Sequence, residues 1–362
     1  MARREQGGAV RVVWRCAGMR WDEGVPGLRW EGGRVSRLTY GQRLAFRAVG
    51  TRLCPGARGN PCPLAATVPG RATGGRCPEC ARLDRAHSVA ADTIADDPRP
   101  YRVYLAWFGP GMTKVGITAE ERGDARLLEQ GAVAFGWLGR GPLMAARRTE
   151  EVLRHALKVP DRIPYDRKRA VRHALPAPDA RRREIGELYE RAAALARWTD
   201  TLELLDFRAY DHGEAFGLAG LPPLSGTVTE LVDDGVVAGR LLAAAGPDLH
   251  LLDADGRCLA LDTRVVRGWR LVAVEGGGTT SSTGDEGTRS SSTADDGTLS
   301  SSTGDEGTLS SSTEDDGTPS SSTADDGTPS SSTANDGTPS VTVPVSSVRY
   351  VGHDVQEGLF PR

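Results

Sequence analysis

Short apolar runs separated by glycine-rich turns open the chain. VRVVW, GLRW and RLAF alternate with stretches such as WEGGR, which predicts a small β meander to about residue 52. From Tyr101 to Phe108, YRVYLAWF predicts one strand, and TKVGIT, after the Gly-Pro-Gly turn, predicts its hairpin partner. Thr118 and Glu121 stand at capping-box spacing ahead of Ala125, Leu127 and Leu128, so a helix is expected from about residue 119. Residues 142–158 carry Pro142 at a helix-start position and Leu143, Val152, Leu153, Ala156 and Leu157 largely along one side. Residues 179–198 place Ile185, Leu188, Ala192 and Leu195 at helical spacing. Strand patterns return over residues 227–274 in TVTELV, VVAGRLLAAAG, DLHLLDADGRCLALD and TRVVRGWRLVAV, and VTVPVSSVRYV reads as one more strand.

Residues 281–340 follow none of these periods. They are six tandem decapeptides of the form SST-x-[DEN]-[DE]-G-T-x-S, with almost nothing to bury. Ordering such a stretch costs roughly 1–2 kcal/mol of backbone entropy per residue, so a disordered acidic insertion is expected over residues 276–340. Adjacent acids without a second row of ligands make calcium loops a poor reading. The expected architecture is therefore α+β. It comprises an N-terminal β segment (1–52), a four-cysteine segment (53–98), a central small sheet with helices (99–175), a helix followed by a β-rich module (176–275), the acidic insertion and a C-terminal tail (341–362).

Charge sharpens this division. The repeats hold 12 acidic residues and one basic residue, Arg289, whereas the remainder of the 362-residue chain holds 36 acidic and 44 basic residues. A net charge of −3 thus conceals a basic body. Only Lys114, Lys158 and Lys168 are lysines, so the abundance of arginine is by itself weak evidence for nucleic acid, although a guanidinium is the better phosphate fork. No run of 18 or more apolar residues and no leader pattern occurs, so a cytoplasmic protein without a membrane span is expected.

Four of the six cysteines fall in CPGARGNPCPLAATVPGRATGGRCPEC, where Cys54 and Cys62 precede the closely spaced pair Cys77 and Cys80. A C-x-x-C pair lets two thiolates reach one ion, and a second pair completes a tetrahedral structural zinc site. The intervening residues have too little apolar content for a core of their own, so metal would supply one. Disulfides fit poorly without an export signal, and redox chemistry fits poorly without a thioredoxin-like context. His87 is an alternative ligand. Cys16 and Cys258, without partners, are expected as buried small apolar residues.

The stretch YRVYLAWFGPGMTKVGITAEERGDARLLEQGA resembles the start of a GIY-YIG nuclease module in the variant whose second motif reads K-[IV]-G-[IV]-T. Arg102, Val103 and Tyr104 stand at the Gly-Ile-Tyr position, and Lys114, Val115 and Gly116 at the Tyr-Ile-Gly position. Arg126 matches the helix arginine, with Arg122 the alternative, and Glu151 matches the later glutamate, with Glu150 beside it. Together C-x-G, PCP, C-x-x-C, YLAWFGP, KVGIT, R-x-x-EQGA and EEVL resemble the domain-of-unknown-function family 2797 over roughly residues 10–275.

The GIY-YIG resemblance implies phosphodiester hydrolysis with a divalent ion, Mg²⁺ or Mn²⁺, held by Glu151. Arg126 would steady charge on the phosphate and Tyr104 would position or deprotonate water. Lys114 departs from the family's second tyrosine, as a base or a phosphate-holding cation. Structural roles compete with each assignment: strand packing for Tyr104, an exposed helix position for Glu151 and an ion pair to Glu129 or Glu121 for Arg126. Gln130 offers only an amide, and Gly131 is expected to close the helix. The expected function is zinc-supported nucleic-acid binding with metal-dependent hydrolysis. The alternatives are a catalytically silent nucleic-acid-binding or assembly protein and an enzyme acting on a small phosphorylated molecule.

Overall fold

Two sheet systems, the larger one mixed through the parallel pair Gly226–Val228 and Cys258–Asp262, organise the described residues of the computed structural model, which are 13–86, 97–160, 162–195, 202–274 and 345–347. The acidic repeats and His87 lie outside the described residues.

The larger sheet draws on both ends of the folded region. Its N-terminal strands are β1 (Trp14–Asp22), β2 (Val25–Trp30), β3 (Val35–Arg37) and β4 (Arg43–Val49). The smaller sheet is built next in the chain, from β5 (Tyr101–Gly109), β6 (Met112–Ala119), β7 (Ala134–Gly141) and β8 (Glu203–Leu204), in the order β6-β5-β7-β8, and β9 (Ala209–Asp211) also pairs with β7. The chain then returns to the larger sheet with β10 (Gly226–Val228), β11 (Val236–Ala245), β12 (Asp248–Leu252), β13 (Cys258–Asp262), β14 (Arg270–Ala273) and β15 (Val345–Ser347). The order is β15-β10-β13-β12-β11-β4-β14-β1-β2-β3. The N-terminal meander is thus no separate layer: β4 lies between β11 and β14. Local periodicity marks β4 and β11 but carries no information about a partner nearly 200 residues away. The strand expected near the C-terminus is present as β15 and pairs antiparallel with β10.

Among the described residues six α-helices accompany the sheets: α1 (Pro78–Ala86), α2 (Ala125–Gln130), α3 (Leu143–Leu157), α4 (Tyr165–Val171), α5 (Pro178–Ala193) and α6 (Thr263–Val266). Three expectations need correction. The helix expected from residue 119 begins as a 3-10 turn, Glu120–Arg122, because Gly123 takes φ 51° and breaks it; α2 then starts after Asp124, and no side-chain cap from Thr118 forms. TRVV is not strand but the turn α6, capped when the Asp262 carboxylate accepts from the Arg264 backbone N–H. Helix α4 was not anticipated, although Pro164 precedes it and Asp166 opens its first turn while Lys168 and Arg169 close it.

Alternation along β5 decides what lies on each side of the smaller sheet. Tyr101, Val103 and Leu105 join Leu143, Ala146, Leu153 and Leu157 of α3 and Leu188 and Ala192 of α5 in one core. Tyr104, Ala106 and Phe108 face the other way, into a core with Leu127 of α2, Ile163, Phe135 and Trp137. Cys16 and Cys258 are buried in the core of the larger sheet, as expected.

Candidate functional site

The cysteine centre is held by turns. Ala57 and Asn60 exchange backbone hydrogen bonds of 3.1 and 2.9 Å, and α1 begins between Cys77 and Cys80. The ligand atoms of Cys54, Cys62, Cys77 and Cys80 all lie within 4.8 Å of one another, and the Cys62 and Cys77 sulfurs are 3.8 Å apart. Zn–S bonds of about 2.3 Å in a tetrahedron require S···S near 3.8 Å, so the set can hold a zinc ion. Among the described residues this is the only such cluster of three or more metal-ligating groups.

The thiol environments also suit a cation. Backbone N–H groups of Gly56 and Cys77 donate to Cys54 Sγ at 3.4 and 3.3 Å. The backbone N–H of Ala66 and, to a lesser degree, that of Leu64 bring the Cys62 thiol down to about 7, whereas burial and the neighbouring thiols push Cys80 up. Four converging thiolates repel one another unless a positive ion sits among them. Buried Arg52 ties this segment to the larger sheet by donating to the carbonyls of Pro69 and Ala72 on one side and of Arg264 and Arg267 on the other.

Tyr104 is almost wholly buried, 1% exposed, on β5 opposite Gly116 of β6. A Cβ at Gly116 would collide with the tyrosine ring and hydroxyl, so glycine is what lets the ring lie across the neighbouring strand. The ring also meets Trp137 edge-on at 6.4 Å. With its amide oxygen turned toward them, Gln130 accepts from Arg126 Nε at 2.9 Å, Arg126 Nη2 at 3.2 Å and the Tyr104 hydroxyl at 3.3 Å. The opposite orientation would aim the amide NH₂ at the guanidinium donors. Gln130 is therefore the hub that joins Tyr104 to Arg126, a role its modest chemistry concealed in the sequence. Arg122, the alternative arginine, is committed to Glu129 at 2.8 and 2.9 Å, while Arg126 reaches Glu129 only at 3.9 Å.

Lys114 pairs with Ala106, two residues along β6 from Gly116 and hence on the Tyr104 face. Glu151 is set apart from these three. Helix α3 packs against the opposite face of the sheet through Leu143, Ala146, Leu153 and Leu157, and Glu151 is exposed on its outward side. Glu150 belongs to the same helix. Of the four residues expected in one cleft, Tyr104 and Arg126 meet through Gln130 and Lys114 shares the Tyr104 face, whereas α3, which carries Glu151, packs on the Val103 side.

Behind the Tyr104 face lies a buried polar cluster that the sequence reading missed along with α4. Lys168, 5% exposed, donates from Nζ to the Gln130 carbonyl at 3.0 Å and lies 4.0 Å from the Phe108 ring centre and 4.3 Å from that of Tyr165. Burial, reinforced by Arg172 and Lys114, lowers its amine to about 6. The next residue, Arg169, donates to Asp248 and Asp262, each at 2.6 Å, and one turn on from Lys168 Arg172 donates to Asp248 at 2.6 Å. Burial alone would raise the Asp248 carboxyl, but Arg169 and Arg172 hold it well below the usual carboxylate range. Burial, with Arg172 adding to it, pushes His250 down to about 3. Gly131 closes α2 at φ 71°, as expected, and a Cβ there would press on Arg172 and on the Ala245–Gly246 backbone at 3.0–3.2 Å. The EQGA stretch is thus where the two sheet systems meet.

No helix among the described residues is long and apolar enough to cross a membrane. A family model described as a protein of unknown function (DUF2797) matches residues 41–271. No curated protein and no solved structure matches the chain. The likeness to GIY-YIG nucleases rests on the motif residues quoted above.

Proposed function

The chain belongs to the DUF2797 family, whose description carries no activity, and from that premise we propose that it binds nucleic acid through the Tyr104 face of the smaller sheet. The observation that carries this reading is the joining of Tyr104 and Arg126 through Gln130 on the face that also bears Lys114 and Arg102. A hydrogen-bonded guanidinium is pre-oriented for the bidentate contact a phosphate offers, and a lysine nearby adds charge. Zinc on Cys54, Cys62, Cys77 and Cys80 would be structural: four thiolates leave no open position for substrate.

Hydrolysis is not part of this reading. Glu151, the expected holder of Mg²⁺ or Mn²⁺, is carried by α3, whose buried side packs with Val103 and Leu105, whereas Tyr104 packs with Leu127 of α2 in the other core. Glu129, the acid beside Arg126, is engaged by Arg122.

Equilibrium binding of mixed-sequence DNA and RNA oligonucleotides across a salt series tests the proposal. Affinity should fall steeply with salt, and Lys114→Ala should weaken binding to all sequences alike and reduce the log–log salt slope by about one. Absence of binding at low salt would overturn it.

A further inference from the structure

Next to Tyr104 the same sheet face carries a groove of about 460 Å³, lined by Arg102 of β5, Trp137 of β7, Tyr210 of β9 and the connecting residues 205–208. That volume is within the range of small-ligand pockets. Two guanidinium–aromatic layers line it. The Arg102 guanidinium lies 5.1 Å from the Trp137 ring centre, and that of Arg208 lies 5.2 Å from the Tyr210 ring centre. The Tyr210 ring also stacks on Phe135 at 4.8 Å with an interplanar angle of 13°. Tyr210 thus contacts both Phe135, which is buried, and the Arg208 guanidinium, which is exposed.

We propose, building on the nucleic-acid reading above, that this groove takes an unpaired base of a single strand, stacked on the Arg208–Tyr210 and Arg102–Trp137 layers. Bases splayed from a strand stack on aromatic rings and on guanidinium planes, and the N–H edge of the same arginine can serve the adjoining phosphate. No carboxylate among the described residues is within ion-pair distance of Arg208, whereas Arg102 shares Glu120 with Arg140 at 2.7 Å each. Arg208 thus supplies the uncommitted charge.

The remaining charge on the lining decides between a strand and a free nucleotide. Asp206 is the one acid there. Its carboxylate is an acceptor for an exocyclic amine of a base, and it repels the doubly charged terminal phosphate of a mononucleotide more than the single charge of a diester. In an intact duplex the base faces are occupied by their neighbours and cannot enter the groove.

The test compares anisotropy-detected binding of a mixed-sequence single strand, its blunt duplex and a strand of equal length and charge built of abasic residues. The full-length protein and its Arg208→Ala, Arg208→Lys and Tyr210→Leu variants are used, with folding checked by thermal melts. The intact strand should bind at least about tenfold more tightly than either the duplex or the abasic strand, in line with the contribution of one or more stacked bases. Arg208→Ala should abolish most of that preference. Arg208→Lys, which keeps the charge and loses the plane, should restore the salt dependence without restoring the preference. Equal affinity for intact and abasic strands, with both still weakened alike in Lys114→Ala, would overturn the groove assignment and leave the phosphate-binding face standing. Displacement of the strand by a mononucleotide at equimolar concentration would overturn it in favour of a small-ligand site. Failure of any strand to bind would overturn both.

Discussion

The ring of Tyr104 lies across the backbone of Gly116 on the adjacent strand, in space a Cβ would fill. This contact gives the glycine of KVGIT a structural role: Gly116 lets Tyr104 reach Gln130, and Gln130 accepts from Arg126.

Gly116→Ala should therefore destabilise the protein by about 1–3 kcal/mol, the usual cost of inserting a methyl into a filled core. Tyr104→Phe, which keeps the ring and loses the hydrogen bond to Gln130, should cost about 1 kcal/mol. Tyr104→Ala in the Gly116→Ala background should restore part of the loss arising from the clash. Urea unfolding of the four proteins checks the order.

The cysteine centre predicts one zinc per chain by elemental analysis of protein purified without added metal. Cys80→Ala should lose the ion, and a strong chelator should lower the melting temperature of the native protein by about 10 °C or more, because the segment depends on the ion for its core. The variant should be insensitive to chelator. Zinc-free protein that melts identically with and without chelator would contradict the assignment.

Lys168 predicts a pH dependence of definite sign. Its amine titrates near 6 in the fold, chiefly through burial, and near 10.4 when unfolded. Between these values the unfolded chain binds the extra proton, so this group makes stability rise with pH, by up to about 1.4 kcal/mol per unit. The aromatic rings of Phe108 and Tyr165 favour the ammonium and reduce the slope. The stability difference between native protein and Lys168→Met, measured by urea unfolding at pH 6.5, 7.5 and 8.5, should shift in favour of the native protein as pH rises.

The acidic repeats predict a salt-dependent effect in cis. Twelve acids and one arginine are tethered to a basic body and would compete with phosphates for its arginines at an effective concentration on the order of millimolar. Deleting residues 281–340 should tighten oligonucleotide binding at low salt, and the gain should shrink as ionic strength rises. Equal affinities at low salt would leave the repeats as a passive spacer.

Legibility of the fold followed the range of the interactions. The β5–β6 hairpin was readable because alternation and a Gly-Pro-Gly turn are local, and α3 because Pro142 and the leucine spacing are local. The cysteine cluster was readable because C-x-x-C encodes its own geometry. The insertion of β4 between β11 and β14 was not, since no residue names a distant partner. Helix α4 was missed because its burial is polar: Lys168 and Arg169 look like solvent-facing positions until Asp248 and Asp262 arrive from the other sheet. Glu151 is assigned by the GIY-YIG resemblance, which places a glutamate on the later helix, whereas only the packing of α3 reveals which side of the sheet that helix takes.

The most direct test of the nucleic-acid-binding face sets Arg126→Ala beside Glu151→Gln in one binding and cleavage experiment, with DNA and RNA oligonucleotides, with and without Mg²⁺ or Mn²⁺. Arg126→Ala should weaken binding about tenfold or more, Glu151→Gln should bind as the native protein does, and substrate should remain intact with either ion. Cleavage that requires the divalent ion and disappears in Glu151→Gln would contradict the account.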